Sequence, residues 1–254
     1  MAHSLSPAIQ NAALRAAGLT GWRYQLLPVP SPLLEETVRA LPGAGFRGAN
    51  VTIPHKERAL ALADGASERA RAIGAANTLV FGPNGEISAE NTDASALIEA
   101  LPFSATGITA LVLGAGGSAR AAVWALLDAG AREVRVWNRT HERAERLVAD
   151  LGGSPVRVAE PADILVHCTS SGLDASDSTF KQLPVSADDL QRYRCVIDLV
   201  YSSAETQLAQ AARARSVPVV AGLELLVGQG AQSFQLFTGV PADRSAMRSA
   251  LRRP

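Results

Sequence analysis

A glycine-rich stretch, Thr109–Arg120, has residue types and spacing that suit the binding of a pyrophosphate. The apolar residues before it predict a buried strand, and the alanine-rich residues after it predict a helix that starts near Gly117. The stretch fits the pattern G-x-G-x-x-A, in which the first glycine allows a tight turn and the second lets a pyrophosphate approach the backbone. The free N–H groups of the helix start would face the phosphates. Such turns also occur without a ligand, but the flanking strand and helix favour dinucleotide binding by Gly114, Ala115, Gly116, Gly117, Ser118 and Ala119.

The next predicted strand, residues 133–137, ends in a segment that bears on which dinucleotide is bound. An NAD site usually places Asp or Glu here to accept from the ribose 2′-hydroxyl. This chain instead has Asn138, Arg139 and Thr140, with Arg143 one helical turn on. Arginine suits a 2′-phosphate because its charge is permanent and its donors form a fork. A solvated helix start with ordinary surface arginines is the alternative, and we favour NADP(H).

The basic residues are unusually distributed between lysine and arginine. Lys56 and Lys181 are the only lysines, and all the other basic residues are arginine. Lysine can exchange a proton when its surroundings lower its pKa, whereas arginine cannot. A lysine in such a chain is a hint of proton chemistry, and Lys181 is predicted to lie in a surface loop.

The overall composition excludes several classes of protein. Lys+Arg and Asp+Glu both number 24, so no bulk charge would recruit nucleic acid or an anionic membrane. No apolar run is long enough for a membrane span, and no signal peptide opens the chain. The two cysteines lie in apolar strand-like runs and are predicted to be free thiols in a reducing cytoplasm. No Cys/His cluster has the spacing of metal ligands, and we predict no metal site.

The chain is predicted to form two domains of an α/β protein. Residues 1–101 and 223–254 are assigned to an α/β substrate domain, to which the C-terminal helices return, and residues 102–222 to an NADP domain. In the NADP domain, predicted strands alternate with helices, which argues for a Rossmann-like, doubly wound parallel sheet. In the substrate domain we predict a strand over Trp22–Val29 and a hairpin around Pro83-Asn84-Gly85.

Several motifs, taken in order along the chain, carry a resemblance to a known family. They are His3-Ser-Leu-Ser-Pro7, Asn50-Val-Thr-Ile-Pro-His-Lys56, Gly74-Ala-Ala-Asn-Thr78, Asn91-Thr-Asp93, Gly114-Ala-Gly-Gly-Ser-Ala-Arg120, Asn138-Arg-Thr140, Asp198-Leu-Val-Tyr201 and Gln229-Gly-Ala-Gln-Ser-Phe234. This combination resembles the shikimate dehydrogenases over nearly the whole chain. The resemblance implies reversible, NADP-linked reduction of 3-dehydroshikimate to shikimate, on the route to aromatic amino acids.

The resemblance also implies roles for individual residues. Lys56 and Asp93 would form the catalytic pair, and Asp93 would also bind a ring hydroxyl. The predicted substrate contacts are Ser4, Ser6, Thr52, Asn77, Tyr201 and Gln229. Thr169 and Gly222 are added to the predicted cofactor contacts. The partner is thus a small-molecule substrate, and the sequence is compatible with either a monomer or a homodimer.

General chemistry is consistent with these roles. Hydride transfer to a ketone builds negative charge on its oxygen, which needs a positive, proton-donating neighbour. Lys56 can serve if Asp93 orients it, and in the reverse direction the same lysine must lose its proton. The hydride chemistry itself belongs to the nicotinamide.

Plainer structural roles are open for most of these residues. Ser4 and Ser6 would also serve as helix caps, with Ser6 capping a helix that has Pro7 at its first position. Lys56 would also be compatible with an exposed helix start, and Asp93 with a helix cap. Tyr201 and Gln229 are unremarkable alone. All four histidines (His3, His55, His141 and His167) are interpreted as structural or surface residues without a triad-like partner arrangement.

One departure from the family pattern concerns the N-terminus. Family members normally begin with a strand and a Gly-x-Pro turn before the His-Ser-x-Ser-Pro motif, whereas here Met1-Ala2 leads directly into it. Either the true start lies upstream, or the first sheet lacks a strand and substrate binding is weak. A missing strand would also be compatible with a catalytically weakened NADP(H)-binding sensor. A quinate/shikimate dehydrogenase with relaxed cofactor use is a separate alternative.

Overall fold

The computed structural model describes residues 4–172, 179–201 and 205–252. The chain divides into two compact units, one of residues 1–93 with 226–254 and the other of residues 94–225. His3 lies outside the described residues. The units are described in turn.

The first unit contains a four-stranded mixed sheet with helices around it. Its helices are α1 (Ser6–Ala16), α2 (Leu34–Ala40), α3 (Lys56–Leu62), α4 (Glu68–Ile73), most of α10 (Gly222–Thr238) and α11 (Arg244–Leu251), with a 3-10 turn at Ser31–Leu33. Its strands are β1 (Gly48–Asn50), β2 (Gly65–Ala66), β3 (Thr78–Phe81) and β4 (Ile87–Glu90), in the order β1-β3-β4-β2. β3 pairs antiparallel with β1 and β4, and β2 is parallel to β4.

The predicted hairpin is present as β3 and β4. Its apolar residues alternate so that Leu79, Ile87 and Ala89 are buried, while Ser88 on the opposite face is exposed. Leu34 and Val38 of α2 are buried in the same apolar cluster. Burial of these side chains on one face fixes the register of the hairpin, because a shift by one residue would expose them.

The predicted strand over Trp22–Val29 is wrong. Residues 23–30 have no regular secondary structure. The Asn11 side chain of α1 accepts from the Tyr24 backbone N–H at 2.9 Å and donates to the Tyr24 carbonyl at 2.8 Å. A side-chain amide thus occupies backbone groups that a neighbouring strand would have paired.

The second unit contains a six-stranded parallel sheet, as the alternating pattern predicts. Its strands are β5 (Thr109–Leu113), β6 (Glu133–Trp137), β7 (Ser154–Val156), β8 (Ile164–His167), β9 (Cys195–Asp198) and β10 (Val219–Val220). Its helices are α5 (Asp93–Ala100, which starts at the boundary between the units), α6 (Gly117–Asp128), α7 (His141–Leu151), α8 (Thr179–Gln182) and α9 (Gln207–Ala214), with a 3-10 turn at Asp188–Arg192.

The strand order β10-β9-β8-β5-β6-β7 places β5 between β6 on one side and β8 on the other. All five residues of β5 are buried, because apolar clusters cover both faces of the sheet. The chain runs outward from β5 in both directions, so the carboxyl end of β5 is the point where the strand order reverses. In open α/β sheets ligands bind at this point. The prediction of a doubly wound parallel sheet beside an α/β domain is confirmed.

Candidate active site

A lysine–aspartate pair lies in the first unit. Lys56 is the first residue of α3, and its Nζ donates to Oδ2 of Asp93, the first residue of α5, at 2.7 Å. The side chains are only 12% and 16% exposed. The pair is therefore largely shielded from water. An ion pair in such a partly buried place is stronger than one on an open surface. An ammonium held in this way can donate a proton to an oxygen atom placed beside it.

The Asn77 side chain holds the other oxygen of the carboxylate. Its Nδ2 donates to Asp93 Oδ1 at 2.7 Å and to Thr92 Oγ1 at 2.9 Å, and its Oδ1 accepts from the Thr92 backbone N–H. Asn77 is 2% exposed. The Asn91 side chain in turn accepts from the backbone N–H of Asp93. The start of α5 is thus fixed by polar residues that flank β3 and β4.

α10 contributes further polar side chains to this cluster. Gln229 Oε1 accepts from Asn77 Nδ2 at 3.5 Å. One turn later, Ser233 is fully buried, and its hydroxyl contacts Asn50 at 2.8 Å, Thr78 at 3.0 Å and Thr92 at 3.3 Å. Sequence reasoning missed Ser233. The available signal was its spacing of four residues from Gln229, which places both side chains on the same face of α10.

Four predicted site residues therefore form one hydrogen-bonded cluster: Lys56, Asp93, Asn77 and Gln229. Thr52 lies in the exposed turn that precedes α3, where its carbonyl accepts from the His55 N–H. Ser4 and Ser6 lie at the start of α1, and the Ser4 hydroxyl accepts from the Ser6 N–H at 3.4 Å. The expectation that Ser6 caps this helix is wrong, because Leu5 occupies the cap position and no side chain caps it. Tyr201 lies in the second unit, after β9.

The predicted glycine-rich loop connects β5 to α6 in the second unit. Gly114 has φ +116°, and a Cβ there would lie 3.0 Å from the Cys168 carbonyl group. No other residue type fits this turn without strain. A Cβ at Gly116 would meet open space, and no side chain caps α6 at its N-terminus. The loop therefore has an open face beside a helix N-terminus, which suits an anion.

The segment after β6 carries the predicted arginines. Asn138 Nδ2 donates to the Thr140 carbonyl at 2.8 Å, which closes the turn into α7. Arg139 and Arg143 are both exposed. Within residues 4–172, 179–201 and 205–252, neither forms an ion pair. Their charges are thus not neutralised by an acidic side chain in the described chain.

Gly222 and Thr169 follow the sheet of the second unit. A Cβ at Gly222 would lie 2.5 Å from the Val200 carbonyl oxygen, so glycine lets α10 start against the end of β9. The Thr169 hydroxyl contacts His167 Nε2 at 2.7 Å, and His167 Nδ1 contacts Asp198 at 2.9 Å. The interpretation of His167 as lacking a triad-like arrangement of partners is therefore wrong. His55 contacts the Val29 carbonyl, and His141 lies 3.3 Å from Glu145.

A concavity of about 440 Å³ in the first unit is lined by residues 21–25, by residues 44–48 and by parts of α1 and α10, and neither Lys56 nor Asp93 lines it. In the described ranges no group of three or more His, Cys, Asp or Glu side chains could hold a metal ion. None of the helices described here is both long and apolar enough to cross a membrane.

Family models match most of the chain. The model of the shikimate dehydrogenase substrate binding domain matches residues 1–79, and that of the shikimate/quinate 5-dehydrogenases matches residues 98–200. The model of the shikimate 5′-dehydrogenase C-terminal domain matches residues 222–252. The chain belongs to the shikimate dehydrogenase family.

Individual members of this family are similar to this chain over nearly their whole length. The NADP(+) shikimate dehydrogenase of Roseobacter denitrificans is 41% identical over 266 residues, covering 99% of this chain and 94% of that protein. The shikimate 5-dehydrogenase of Thermus thermophilus, solved in complex with NADP(H) and shikimate, has a TM-score of 0.87 and 39% identity, covering 99% and 95% of the two chains. The Aquifex aeolicus shikimate dehydrogenase has a TM-score of 0.90 at 31% identity, covering 99% and 94%.

Proposed function

We propose that this protein is an NADP-dependent shikimate dehydrogenase that reversibly reduces 3-dehydroshikimate to shikimate, with Lys56 and Asp93 as its catalytic pair. The observation that carries the proposal is the contact of 2.7 Å between Lys56 Nζ and Asp93 Oδ2 in a largely buried cluster. That cluster lies in the unit whose first 79 residues match a substrate-binding family model. The named activity of the relatives supports the same reaction.

Lys56 has the chemistry that a ketone reductase needs. Bound NADPH supplies a hydride to the carbonyl carbon. The Lys56 ammonium stabilises the charge that develops on the carbonyl oxygen and transfers a proton to it. Asp93 orients the ammonium, and Asn77 holds the carboxylate through its second oxygen. In the oxidation of shikimate, the neutral Lys56 amine accepts the proton of the hydroxyl.

The remaining predicted contacts suit a small polyhydroxylated acid. Ser4 and Ser6 are proposed to bind the substrate carboxylate, and Thr52 and Tyr201 are proposed as further substrate contacts. Asn77 and Gln229 are proposed to bind ring hydroxyls together with Asp93. A site of buried donors and acceptors rejects analogues that lack a matching group, because a polar side chain is then left unpaired.

The second unit offers backbone N–H groups and arginine side chains that suit the phosphates of NADP. The open loop of Gly114, Ala115, Gly116, Gly117, Ser118 and Ala119 is proposed to hold the pyrophosphate. Arg139 and Arg143, with Asn138 and Thr140, are proposed to bind the 2′-phosphate. Thr169 and Gly222 are proposed to contact the cofactor at the carboxyl edge of the sheet. We accordingly assign the substrate to residues 1–101 with 223–254 and NADP to residues 102–222.

Two further features belong to the same proposal. Cys168 and Cys195 are free thiols, which fits a reducing cytoplasm as the proposed location. Burial raises the pKa of the Cys195 thiol. The protein would act as a monomer or a homodimer, which light scattering after size-exclusion chromatography would distinguish.

The experiment that tests the catalytic pair compares the two lysines. Lys56→Ala should lower kcat by roughly 100-fold or more, because general acid–base catalysis contributes about 10²–10⁴-fold. Lys181 is exposed in the second unit, so Lys181→Ala is the matched control and should retain wild-type kcat. The Kd for NADP, measured by calorimetry, should stay within about twofold of wild type in both variants. Full turnover by Lys56→Ala would overturn the assignment.

Quinate oxidation is a second candidate function, favoured by the family model that names both shikimate and quinate. The ratio of kcat/KM for the two substrates, measured with the same enzyme preparation, decides between them.

A further inference from the structure

A chain of buried polar groups lies at the carboxyl ends of β8 and β9. His167, the last residue of β8, has no exposed surface, and it pairs in register with Asp198, the last residue of β9. The imidazole Nδ1 lies 2.9 Å from Asp198 Oδ1, and Nε2 lies 2.7 Å from the Thr169 hydroxyl. The parallel register brings the side chains of His167 and Asp198 together. Thr169 follows His167 by two residues and contacts the other ring nitrogen.

The surroundings of Asp198 determine where the imidazole proton lies. Besides His167, the backbone N–H of Val200 donates to the carboxylate at 3.1 Å, and the Thr206 hydroxyl donates to its other oxygen. Both of these groups donate to the Asp198 oxygens, so the carboxylate acts as a hydrogen-bond acceptor here. Nδ1 must therefore be the nitrogen that donates to Asp198.

The Thr169 hydroxyl is oriented as a consequence. In the neutral tautomer with its proton on Nδ1, the His167 Nε2 accepts, and the Thr169 O–H donates to it. The Ser171 backbone N–H donates to Thr169 Oγ1 at 3.1 Å. The hydroxyl hydrogen and one lone pair are then used, and no further donor from the described residues reaches the second lone pair, which can accept from a ligand. Thr169 is thereby held as a hydrogen-bond acceptor.

Thr169 lies where a ligand of this sheet is expected. It follows β8, and its backbone N–H lies against the glycine turn, since a Cβ at Gly114 would be 3.3 Å from Thr169 N. β8 and β5 are adjacent strands at the point where the strand order reverses. Thr169 is half-buried, whereas His167 and Asp198 are fully buried behind it.

We propose that His167 and Asp198 are positioning residues for cofactor binding, which hold the Thr169 hydroxyl as an acceptor for an N–H or O–H donor of the bound dinucleotide. A carboxamide N–H or a ribose hydroxyl has this chemistry. The inference rests on the proposed NADP-dependent function. His167 acts through Thr169 and does not itself touch the ligand.

A double-mutant cycle tests the inference by calorimetric Kd values for NADP. Thr169→Val removes the hydroxyl at constant shape and should raise Kd by roughly 3- to 10-fold, the range for one neutral hydrogen bond. His167→Asn keeps an amide near the Nδ1 position but cannot reach Thr169, and it should raise Kd by a similar factor. The double variant should bind no more weakly than either single variant, because His167 acts only through the hydroxyl. Thr169→Ser should restore wild-type Kd.

A second measurement uses the wild-type protein and so does not depend on the folding of a variant. Nitrogen-15 spectra of the histidine rings should show the Nδ1–H tautomer for His167, and its Nε2 resonance should shift when NADP is added. Additive effects in the cycle, an unchanged Kd in His167→Asn, or an Nε2–H tautomer would each overturn the inference while leaving the proposed function intact. Failure of the folded wild-type protein to bind NADP would overturn both.

Discussion

Replacing Asp93 by asparagine tests the hydrogen-bonded cluster around Lys56 at its centre. The two carboxylate oxygens accept from different donors, Lys56 Nζ and Asn77 Nδ2, each at 2.7 Å. The amide of Asp93→Asn has the same shape but only one accepting oxygen. Whichever way the amide is turned, its NH₂ group faces one of the two donors.

The structure sets the expected magnitude of this change. A buried donor left unsatisfied costs about 1–3 kcal/mol. Loss of the ion pair lowers the free energy of unfolding further. This part is less than the 3–5 kcal/mol typical of breaking a fully buried pair, because the two side chains are still 12% and 16% exposed. Asp93 also begins α5, where a negative charge contributes roughly 0.3–1 kcal/mol. We expect Asp93→Asn to lower the free energy of unfolding by about 2–4 kcal/mol and kcat by at least about tenfold.

Urea denaturation followed by circular dichroism measures the stability, with a matched control in the same unit. Glu35 forms an exposed pair with Arg58 at 3.7 Å, with 57% and 48% of the two side chains exposed. Glu35→Gln makes the same change of carboxylate to amide and should cost less than about 1 kcal/mol, without an effect on kcat. If Asp93→Asn were no less stable than Glu35→Gln, the buried cluster would not be holding the pair, and the reasoning would be refuted.

Three other predictions concern different parts of the molecule. Burial raises the pKa of Tyr193 to about 12. Since the unfolded state loses this proton near pH 10, the free energy of unfolding should fall between pH 10 and 12 by up to about 2–3 kcal/mol. Denaturation at several pH values should show that Tyr193→Phe removes this part of the fall. Arg139→Ala should raise the KM for NADP about tenfold and leave that for NAD unchanged, and equal changes in initial-rate measurements would count against a 2′-phosphate contact. Ser233→Ala should lower the free energy of unfolding by about 1–3 kcal/mol and raise the KM for shikimate, whereas Ser249→Ala, at an exposed position, should do neither. Denaturation and initial-rate measurements check both effects. Identical behaviour of the two variants would show that Ser233 does not support the site.

Local sequence patterns predicted most of the second unit because its central strands, β5, β8 and β9, are buried on both faces. An apolar run such as Leu111–Leu113, followed by a glycine turn and an alanine-rich helix, has few other stable arrangements. In the first unit the signal was weaker. Trp22–Val29 has the alternation of a strand, but both backbone groups of Tyr24 within it bond to the side chain of Asn11. Nothing in the local pattern identifies such a competitor.

The candidate site could be predicted only in part, because its members are far apart in the sequence. Asn77 and Gln229 are separated by 152 positions, and Lys56 and Asp93 by 37. Spacing alone does not pair residues at such separations, and the family motifs supplied these assignments. Ser233 and the partners of His167 were missed, because a buried serine or histidine in an apolar run resembles ordinary core sequence. Their contacts depend on strand register and helix packing, which only the fold provides.

The most direct test of the central claim is NADPH formation at 340 nm, with shikimate and quinate offered separately with NADP and then with NAD. The account predicts rapid turnover with shikimate and NADP, and much slower turnover with the other three pairs. Absence of turnover with shikimate and NADP, by a folded protein that binds NADP, would contradict the account and favour a binding or sensing role.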